Sequence, residues 1–260
     1  MSELDLPKAL AAAREAADAA GVVLRHYWRK GVAVELKSDD TPVTAADREA
    51  ELTIREILQK ALPQASIYGE EFGRDGNDSD LLWMVDPLDG TKSFVRRTPF
   101  FSTQIALMHR GELVLGVSSA PVYGETMWAS AGGGAWFDGD RVGVADTHEM
   151  AKASLSIGNV KTLTKDARWN ALGAMIRDSN RIRGYGDFCH YHLLARGSLD
   201  LVLESDVNIL DVAALAVIVR EAGGVFTDLH GKALTLDTTS VLAGTPAIHA
   251  LALDRFSTSH

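Results

Sequence analysis

Five consecutive apolar residues, Leu81-Leu82-Trp83-Met84-Val85, run directly into Asp86-Pro87-Leu88-Asp89-Gly90-Thr91. A short unbroken apolar run followed by turn residues reads as a buried strand. Pro87 is expected to stop its ladder, and Gly90 to permit backbone conformations closed to other residues. Asp86 and Asp89, three residues apart, can then share one hard cation. Oxygen donors from a few carboxylates, with coordination positions left for water and phosphate, suit Mg2+ better than zinc, which asks for His or Cys. Neither stands near this loop. Asp-Pro-x-Asp-Gly is also good turn material, and on this segment alone both readings stand.

Two further acidic segments bear on the choice. Gly69-Glu70-Glu71-Phe72-Gly73 follows the apolar pair Ile67-Tyr68. Adjacent glutamates at a strand end are costly unless solvated or paired, so they make either a solvated hairpin tip or a cation ligand. Glu204 and Asp206 precede Asp211, which opens a helix that is apolar through Val212-Ala213-Ala214-Leu215-Ala216-Val217-Ile218-Val219 and ends at Gly223-Gly224. Asp211 is expected to cap that helix. A capping carboxylate keeps lone pairs free for a cation.

Gly-Glu-Glu at 69–71, Asp-Pro-Leu-Asp-Gly-Thr at 86–91, and Asp211-Val212-Ala213-Ala214 with Glu204 seven residues upstream resemble the signature of the inositol monophosphatase family. Order and spacing match over almost the whole chain, including Pro42-Val43-Thr44-Ala45-Ala46-Asp47 near the front and Glu221-Ala222-Gly223-Gly224 near the back. The resemblance implies an Mg2+-dependent, commonly lithium-inhibited phosphatase with an α/β (α+β) fold, a layered αβαβα sandwich.

The bulk properties are compatible with this. A chain of 260 residues has ample core for one large domain or two tightly packed lobes. Its net charge of −9 offers no basic footprint for nucleic acid or an anionic membrane. An acidic protein that binds phosphate needs a cation. A single cysteine, Cys189, excludes an intrachain disulfide and a cysteine-rich metal site. Met1-Ser2-Glu3-Leu4-Asp5 carries acids where a secretory signal carries bases, and no stretch approaches the roughly 20 apolar residues of a membrane span. A cytoplasmic protein is expected.

Along the chain, residues 4–29 read as a long amphipathic helix with a stripe of Leu6, Leu10, Ala13, Ala17, Ala20 and Leu24, ending near Gly31. Thr44 and Asp47 have capping-box spacing and begin a second helix that runs toward Pro63. Residues 102–108 and 113–117 flank a hairpin turn, and a strand pair follows at 126–129 and 134–137. The first lobe, residues 1–150, is thus two helices on a largely antiparallel sheet. Residues 151–260 alternate: strands at 154–157, 181–185, 199–203, 225–227 and 240–243, helices at 166–178, 188–195, from 211, and a last one to about 256. Such alternation favours a sheet with helices on its faces. With no repeat or low-complexity linker, the two lobes should pack as one rigid unit.

By resemblance, Glu70, Asp86 and the Leu88 carbonyl hold one Mg2+, Asp86, Asp89 and Asp211 a second, and Glu70 a looser third. Two such ions clamp the attacking and leaving oxygens of an in-line displacement and acidify bound water. The Gly90 and Thr91 amides suit phosphate oxygens, and the Thr91 hydroxyl orients or deprotonates the water. Asp47 matches the family carboxylate that relays from this threonine, with Glu70 able to share the load; as a plain helix cap Asp47 also makes sense. Lys37, before Ser38-Asp39, balances the acidic site. No serine elbow or cysteine-plus-arginine loop is evident, so water attacks directly without a phosphoenzyme. His190 and His192, two apart in a helix, point to different faces and read as packing or surface residues.

The substrate is written elsewhere. Where relatives acting on inositol phosphates have a small Gly-Ser/Thr-Ala step, this chain has Arg183-Gly184-Tyr185-Gly186-Asp187-Phe188. That pattern, with Ser119-Ala120-Pro121 and the run from Asp89 to Arg96, is similar to the histidinol-phosphate phosphatases of the family. Their substrate carries an ammonium and a partly cationic imidazole, which Asp187 and Glu204 could pair; Asp187 is also a plausible N-cap. Arg183 would contact phosphate or organise the acids, or else is a surface charge. Together with the metal loop, the expected substrate contacts are Leu88, Asp89, Gly90, Thr91, Arg183, Asp187, Glu204 and Asp211. Leu210 stands where relatives carry an aromatic, and Asp206 adds an acid; both bear on selectivity. The expected reaction is hydrolysis of L-histidinol phosphate in histidine biosynthesis. The alternatives are an inositol or broader sugar-phosphate or nucleotide phosphatase, and a non-catalytic phosphate-binding or interaction protein. The partner is a small phosphate monoester, and a homodimer is usual in relatives.

Overall fold

The computed structural model describes residues 4–31, 34–36, 42–76, 79–165 and 168–257. The basic-acidic segment around Lys37 lies outside them, as does Asp166. The first half runs α1 (Leu6–Lys30), β1 (Val34–Leu36), β2 (Pro42–Thr44), α2 (Ala45–Ala61), β3 (Ser66–Gly69), β4 (Gly73–Asp75), β5 (Leu81–Asp89), α3 (Thr91–Val95), β6 (Ser102–His109), β7 (Glu112–Ala120), β8 (Glu125–Ser130), β9 (Gly134–Phe137) and β10 (Asp140–Val142). The second half runs β11 (Ser154–Ile157), α4 (Val160–Leu163), α5 (Trp169–Asp178), β12 (Arg181–Arg183), α6 (Asp187–Ala195), β13 (Leu201–Ser205), α7 (Ile209–Glu221), β14 (Val225–Thr227), β15 (Ser240–Gly244) and α8 (Pro246–Ser257).

An eight-stranded sheet has the order β10-β9-β8-β7-β6-β5-β3-β4, antiparallel except where β3 lies parallel to β5. A five-stranded sheet has the order β12-β11-β13-β15-β14, with β11 parallel to both neighbours and the β13–β15 and β14–β15 pairs antiparallel.

The apolar run of β5 is explained by what covers it. Trp83 and Val85 join a core with Ala13, Ala17 and Leu24 of α1 and Ile54 and Leu58 of α2. Leu82 and Met84 face the opposite side, against a core that includes Tyr191 and Leu194 of α6 and most of α7. A third core sets Leu155, Leu203 and Leu242 of the smaller sheet against Leu172 and Met175 of α5 and Ile248 and Phe256 of α8. The layers are therefore α1α2, large sheet, α6α7, small sheet, α5α8, an αβαβα sandwich. Helix α7 is buried from Ile209 to Val219 apart from Asp211, because both its sides meet a sheet. Gly116 of β7 lets it come close: a Cβ there would lie 2.3 Å from the Ala214 carbonyl oxygen.

Several local expectations are corrected. Pro87 does not end the strand. Pairing with β6 passes from Asp86↔Gln104 to Asp89↔Ser102, three residues against two, so the proline sits in a bulge where a missing N–H costs no ladder bond. The buried face of α1 is mostly alanine, Ala9, Ala12, Ala13, Ala16, Ala17 and Ala20, whereas Leu6 and Leu10 are only half-buried. The helix expected at 166–178 is present as α5, which begins at Trp169, and α4 and β10 are additional. Asp211 is not the cap of α7: Asn208 is, and Asp211 is the third helical residue, closing a capping box.

Candidate active site

Sheet register brings the first acids together. Because β3 runs parallel to β5 with Gly69 opposite Val85, the residues after them, Glu70 and Asp86, come side by side, Glu70 just past the end of β3 and Asp86 still paired with Gln104 of β6. The Glu70 amide donates to the Val85 carbonyl at 3.1 Å, and the Glu70 side chain hydrogen-bonds Asp86. Gly69 to Gly73 does form a hairpin turn, between β3 and β4. Asp86 makes the turn expected of its segment, its Oδ1 accepting the Leu88 amide at 3.0 Å as an Asx turn does. The bulge then turns Asp89 back toward the same cleft, where its Oδ2 accepts from the Ser102 hydroxyl at 3.1 Å and Gln104 donates to that hydroxyl at 2.8 Å.

Asp211 comes from the other side, at the start of α7, its Oδ2 accepting the Asn208 amide at 2.9 Å. One carboxylate oxygen each from Asp86, Asp89 and Asp211 lies within 4.8 Å of the other two. Burial pushes Asp86 well above the ordinary carboxylate range, and the charges of Glu70, Asp89 and Asp211 push it further. Burial does the same to Asp89, followed by Asp187, Asp211 and Glu204. Asp211 is lifted to about 7 by burial, with Glu70 and Glu204 adding to it while the Asn208 amide opposes. Converging carboxylates that resist ionising together are what a divalent cation relieves. The donors are all oxygen and the cluster holds no His or Cys, so the residues fit a hard cation.

Thr91 opens α3 beside this cluster. Its hydroxyl lies 3.1 Å from Asp47 Oδ1 and 3.1 Å from the Leu88 carbonyl oxygen, so one proton serves two acceptors. Asp47 is fully buried; its Oδ2 accepts from the Thr44 amide at 2.8 Å and the Thr44 hydroxyl at 2.6 Å. The capping box expected of Thr44 and Asp47 is present, and the carboxylate's second oxygen is left for Thr91. Burial raises the Asp47 carboxyl, opposed by the Thr44 and Thr91 bonds. Gly90 has φ +90°, and a Cβ there would lie 2.5 Å from the Phe100 carbonyl oxygen, so no other residue makes this corner without displacement.

Glu70, Asp86, Asp211 and the turn from Leu88 to Thr91 line a cavity of about 250 Å³ together with Lys92, Asn159, Asp187, Tyr191, Glu204 and Asp206, while Asp47 stays buried outside its lining. Asn159, Asp187 and Asp206 all have positive φ, 48°, 46° and 60°, a conformation that Asn and Asp tolerate best and that costs energy. Asp187 is the first residue of α6, not its cap, and the N-cap Gly186 has no side chain to serve as one. Burial raises Asp187 to about 6, with Glu204 adding to the shift and His190 and Lys92 opposing it. Glu204 Oε2 accepts from the Tyr191 hydroxyl at 2.7 Å and contacts His190 Nε2 at 3.0 Å. Gly158 leaves room for it, since a Cβ there would lie 2.1 Å from Glu204 Oε1.

The structure decides two readings that the sequence left open. Arg183 is exposed, its guanidinium turned onto the Ile182 carbonyl at 2.7 Å, and it is not among the cavity-lining residues. Of the packing and surface readings of His190 and His192, the packing one holds. Both are buried, His190 holding Glu204 and His192 contacting the Ser118 hydroxyl at 2.8 Å. Leu210 is buried in the core around α7. The contributions of His190, Tyr191, Asn159 and Lys92 were missed; the positive-φ tolerance of asparagine was the one local hint for Asn159.

A model of the inositol monophosphatase family matches residues 5–260. The chain is 37% identical over 238 residues to a histidinol-phosphatase of Mycobacterium tuberculosis, 90% of each chain being covered. It is 38% identical over 227 residues to a histidinol-phosphatase of Streptomyces coelicolor, 84% of each. An inositol monophosphatase structure from Anabaena (Nostoc) sp. superposes with a TM-score of 0.85 at 31% identity, over 98% of this chain and 97% of that one. The layered fold and its acidic cleft, with these relatives, define a phosphoric monoester hydrolase. The chain belongs to the inositol monophosphatase family. Among the described residues no helix is long and apolar enough to cross a membrane.

Proposed function

We propose that the protein is an Mg2+-dependent histidinol-phosphate phosphatase that releases L-histidinol and inorganic phosphate. The observation that carries the substrate is the pair of acids Asp187 and Glu204 on the cavity wall beyond the Asp86–Asp89–Asp211 cluster. A neutral polyol gains little from a charged carboxylate, whereas an ammonium or imidazolium gains a charge-assisted hydrogen bond. The histidinol-phosphatase names of the relatives at 37% and 38% identity support the same choice.

Glu70, Asp86, Asp89, Asp211 and the Leu88 carbonyl would hold the metal. When bound, Mg2+ supplies charge stabilisation to the phosphate oxygens and acidifies water. The chain does the rest. Thr91 accepts a proton from the attacking water at its hydroxyl oxygen and passes its own to Asp47 Oδ1, 3.1 Å away. Thr44 holds Asp47 in place for that transfer through two bonds to Oδ2. Water oxygen bonds to phosphorus as the bond from phosphorus to the alcohol oxygen breaks; the leaving oxygen takes a proton from solvent water, and the proton on Asp47 returns through Thr91 to solvent. Asp187 pairs with the substrate's cationic end. Inhibition by Li+, a homodimer and a cytoplasmic setting in histidine biosynthesis belong to the same reading, by family resemblance.

A panel of phosphomonoesters at equal concentration tests it. Phosphate release from histidinol phosphate should exceed that from inositol 1-phosphate by at least about tenfold and vanish with a chelator. Equal or reversed rates would sink the histidinol assignment and leave a broader phosphatase.

A further inference from the structure

Helix α2 carries two fully buried carboxylates, Asp47 and Glu51, one turn apart on one face. Like charges at this spacing repel, and burying each is costly unless its oxygens are satisfied. Asp47 is accounted for by Thr44 and Thr91. Glu51 does not line the cavity and has other partners. Its Oε2 accepts the Glu71 amide at 2.7 Å, and its Oε1 accepts the Phe72 amide at 3.3 Å and Arg55 Nε at 2.7 Å. Those two amides directly follow Glu70 at the hairpin tip.

The residue before Glu70 is shaped to the same carboxylate. A Cβ on Gly69 would lie 2.0 Å from Glu51 Oε1, so the strand approaches this acid only as glycine. Arg55, one turn further along α2, donates Nη2 to the Gly73 carbonyl at 2.7 Å and pairs with Asp75 on β4. The hairpin is therefore gripped on both sides of Glu70 by α2, while the Glu70 amide itself is fixed to Val85, the residue before Asp86.

We infer that Glu51 is a positioning residue, which sets Glu70 against Asp86 through the backbone of the 69–73 hairpin. Because Asp47 stands on the same face of the same helix, α2 fixes the distance between the proton acceptor behind Thr91 and the carboxylates of the cluster. This rests on the metal reading of that cluster.

The test is Mg2+ binding to substrate-free protein by calorimetry, with amide hydrogen exchange at Glu71 and Phe72, in the native protein and in Glu51→Gln. Glutamine keeps the volume but turns an NH2 toward amides that need an acceptor. Mg2+ affinity should fall about tenfold or more, and the two amides should exchange faster while the α7 core keeps its protection. A merely structural role lowers the melting temperature but leaves affinity and exchange, measured well below melting, as in the native protein; that outcome overturns the proposal. Should Glu51→Gln not fold, Glu51→Asp, which retracts the carboxylate by one methylene, is read by the same criteria. Absence of stoichiometric Mg2+ binding in the native protein overturns the metal reading and this inference with it.

Discussion

At Asp187 the backbone takes a φ of 46° at the first residue of α6, after a glycine at 72°. A non-glycine residue at positive φ costs energy, and here the turn brings a carboxylate into the cavity and not along the helix. On the proposed reading that cost serves substrate choice. Asp187→Asn keeps shape and loses charge, so KM for histidinol phosphate should rise about tenfold or more, the worth of a charge-assisted hydrogen bond, while KM for inositol 1-phosphate changes little. Steady-state kinetics on both substrates decide it, and parallel increases refute a role for the charge. Asp47→Asn should instead lower kcat by about 10²-fold or more, the usual worth of a general base, with KM nearly unchanged. Its amide must either face the Thr44 N–H or abandon the Thr91 hydroxyl. A kcat within a few-fold of native would remove Asp47 from the reaction.

Among elements, α7 has the most to satisfy at once, presenting Asp211 at its start and lying buried between two sheets. Gly116 sets its distance from β7. Gly116→Ala must push the Ala214 carbonyl away, at about 1–3 kcal/mol for overpacking, which is a fall in Tm of about 2–6 °C for a chain of this size. Because the displaced helix carries Asp211, Mg2+ affinity should fall too; a lowered Tm with native affinity would show that the cluster tolerates movement of α7. How far such elements are legible in a sequence depends on how local their causes are. The Thr44-Asp47 box, the Arg110-Gly111 hairpin and the apolar body of α7 declare themselves within a few residues. Pro87 misleads because the bulge that tolerates it is a property of its pairing with β6. Asn208 and Asp211 both look like caps, and only the folded turn assigns the cap to the first. Arg183 and Asp187 are four residues apart in one segment, yet the turn at Gly186 sends one to solvent and the other to the cavity. The grip of Glu51 on the hairpin, and of His190 on Glu204, joins residues 14 to 21 positions apart in sequence and has no periodicity to betray it.

For the whole molecule, an acidic cleft in a chain of net charge −9 is a store of unfavourable electrostatics until a cation enters it. In the metal-free protein Asp187 sits at about 6 and Asp211 at about 7, with Asp86 and Asp89 also well raised. A carboxyl raised on folding binds its proton more tightly in the native state than in the unfolded chain, where it titrates near 4. The stability such groups contribute is full below about pH 4 and is lost as pH rises through about 6 and 7. Metal-free protein should therefore melt at a lower temperature at about pH 8 than at about pH 5.5. Mg2+ needs ionised ligands and competes with those protons, so millimolar Mg2+ should raise Tm strongly at about pH 8 and little at about pH 5.5, by the mass-action term of a ligand that binds only the folded state. Thermal melts across this range, with chelator and with Mg2+, give four numbers. A metal-free Tm that rises with pH, or an Mg2+ effect equal at both ends, would mean that the strained carboxylates of the cleft are not what the cation relieves.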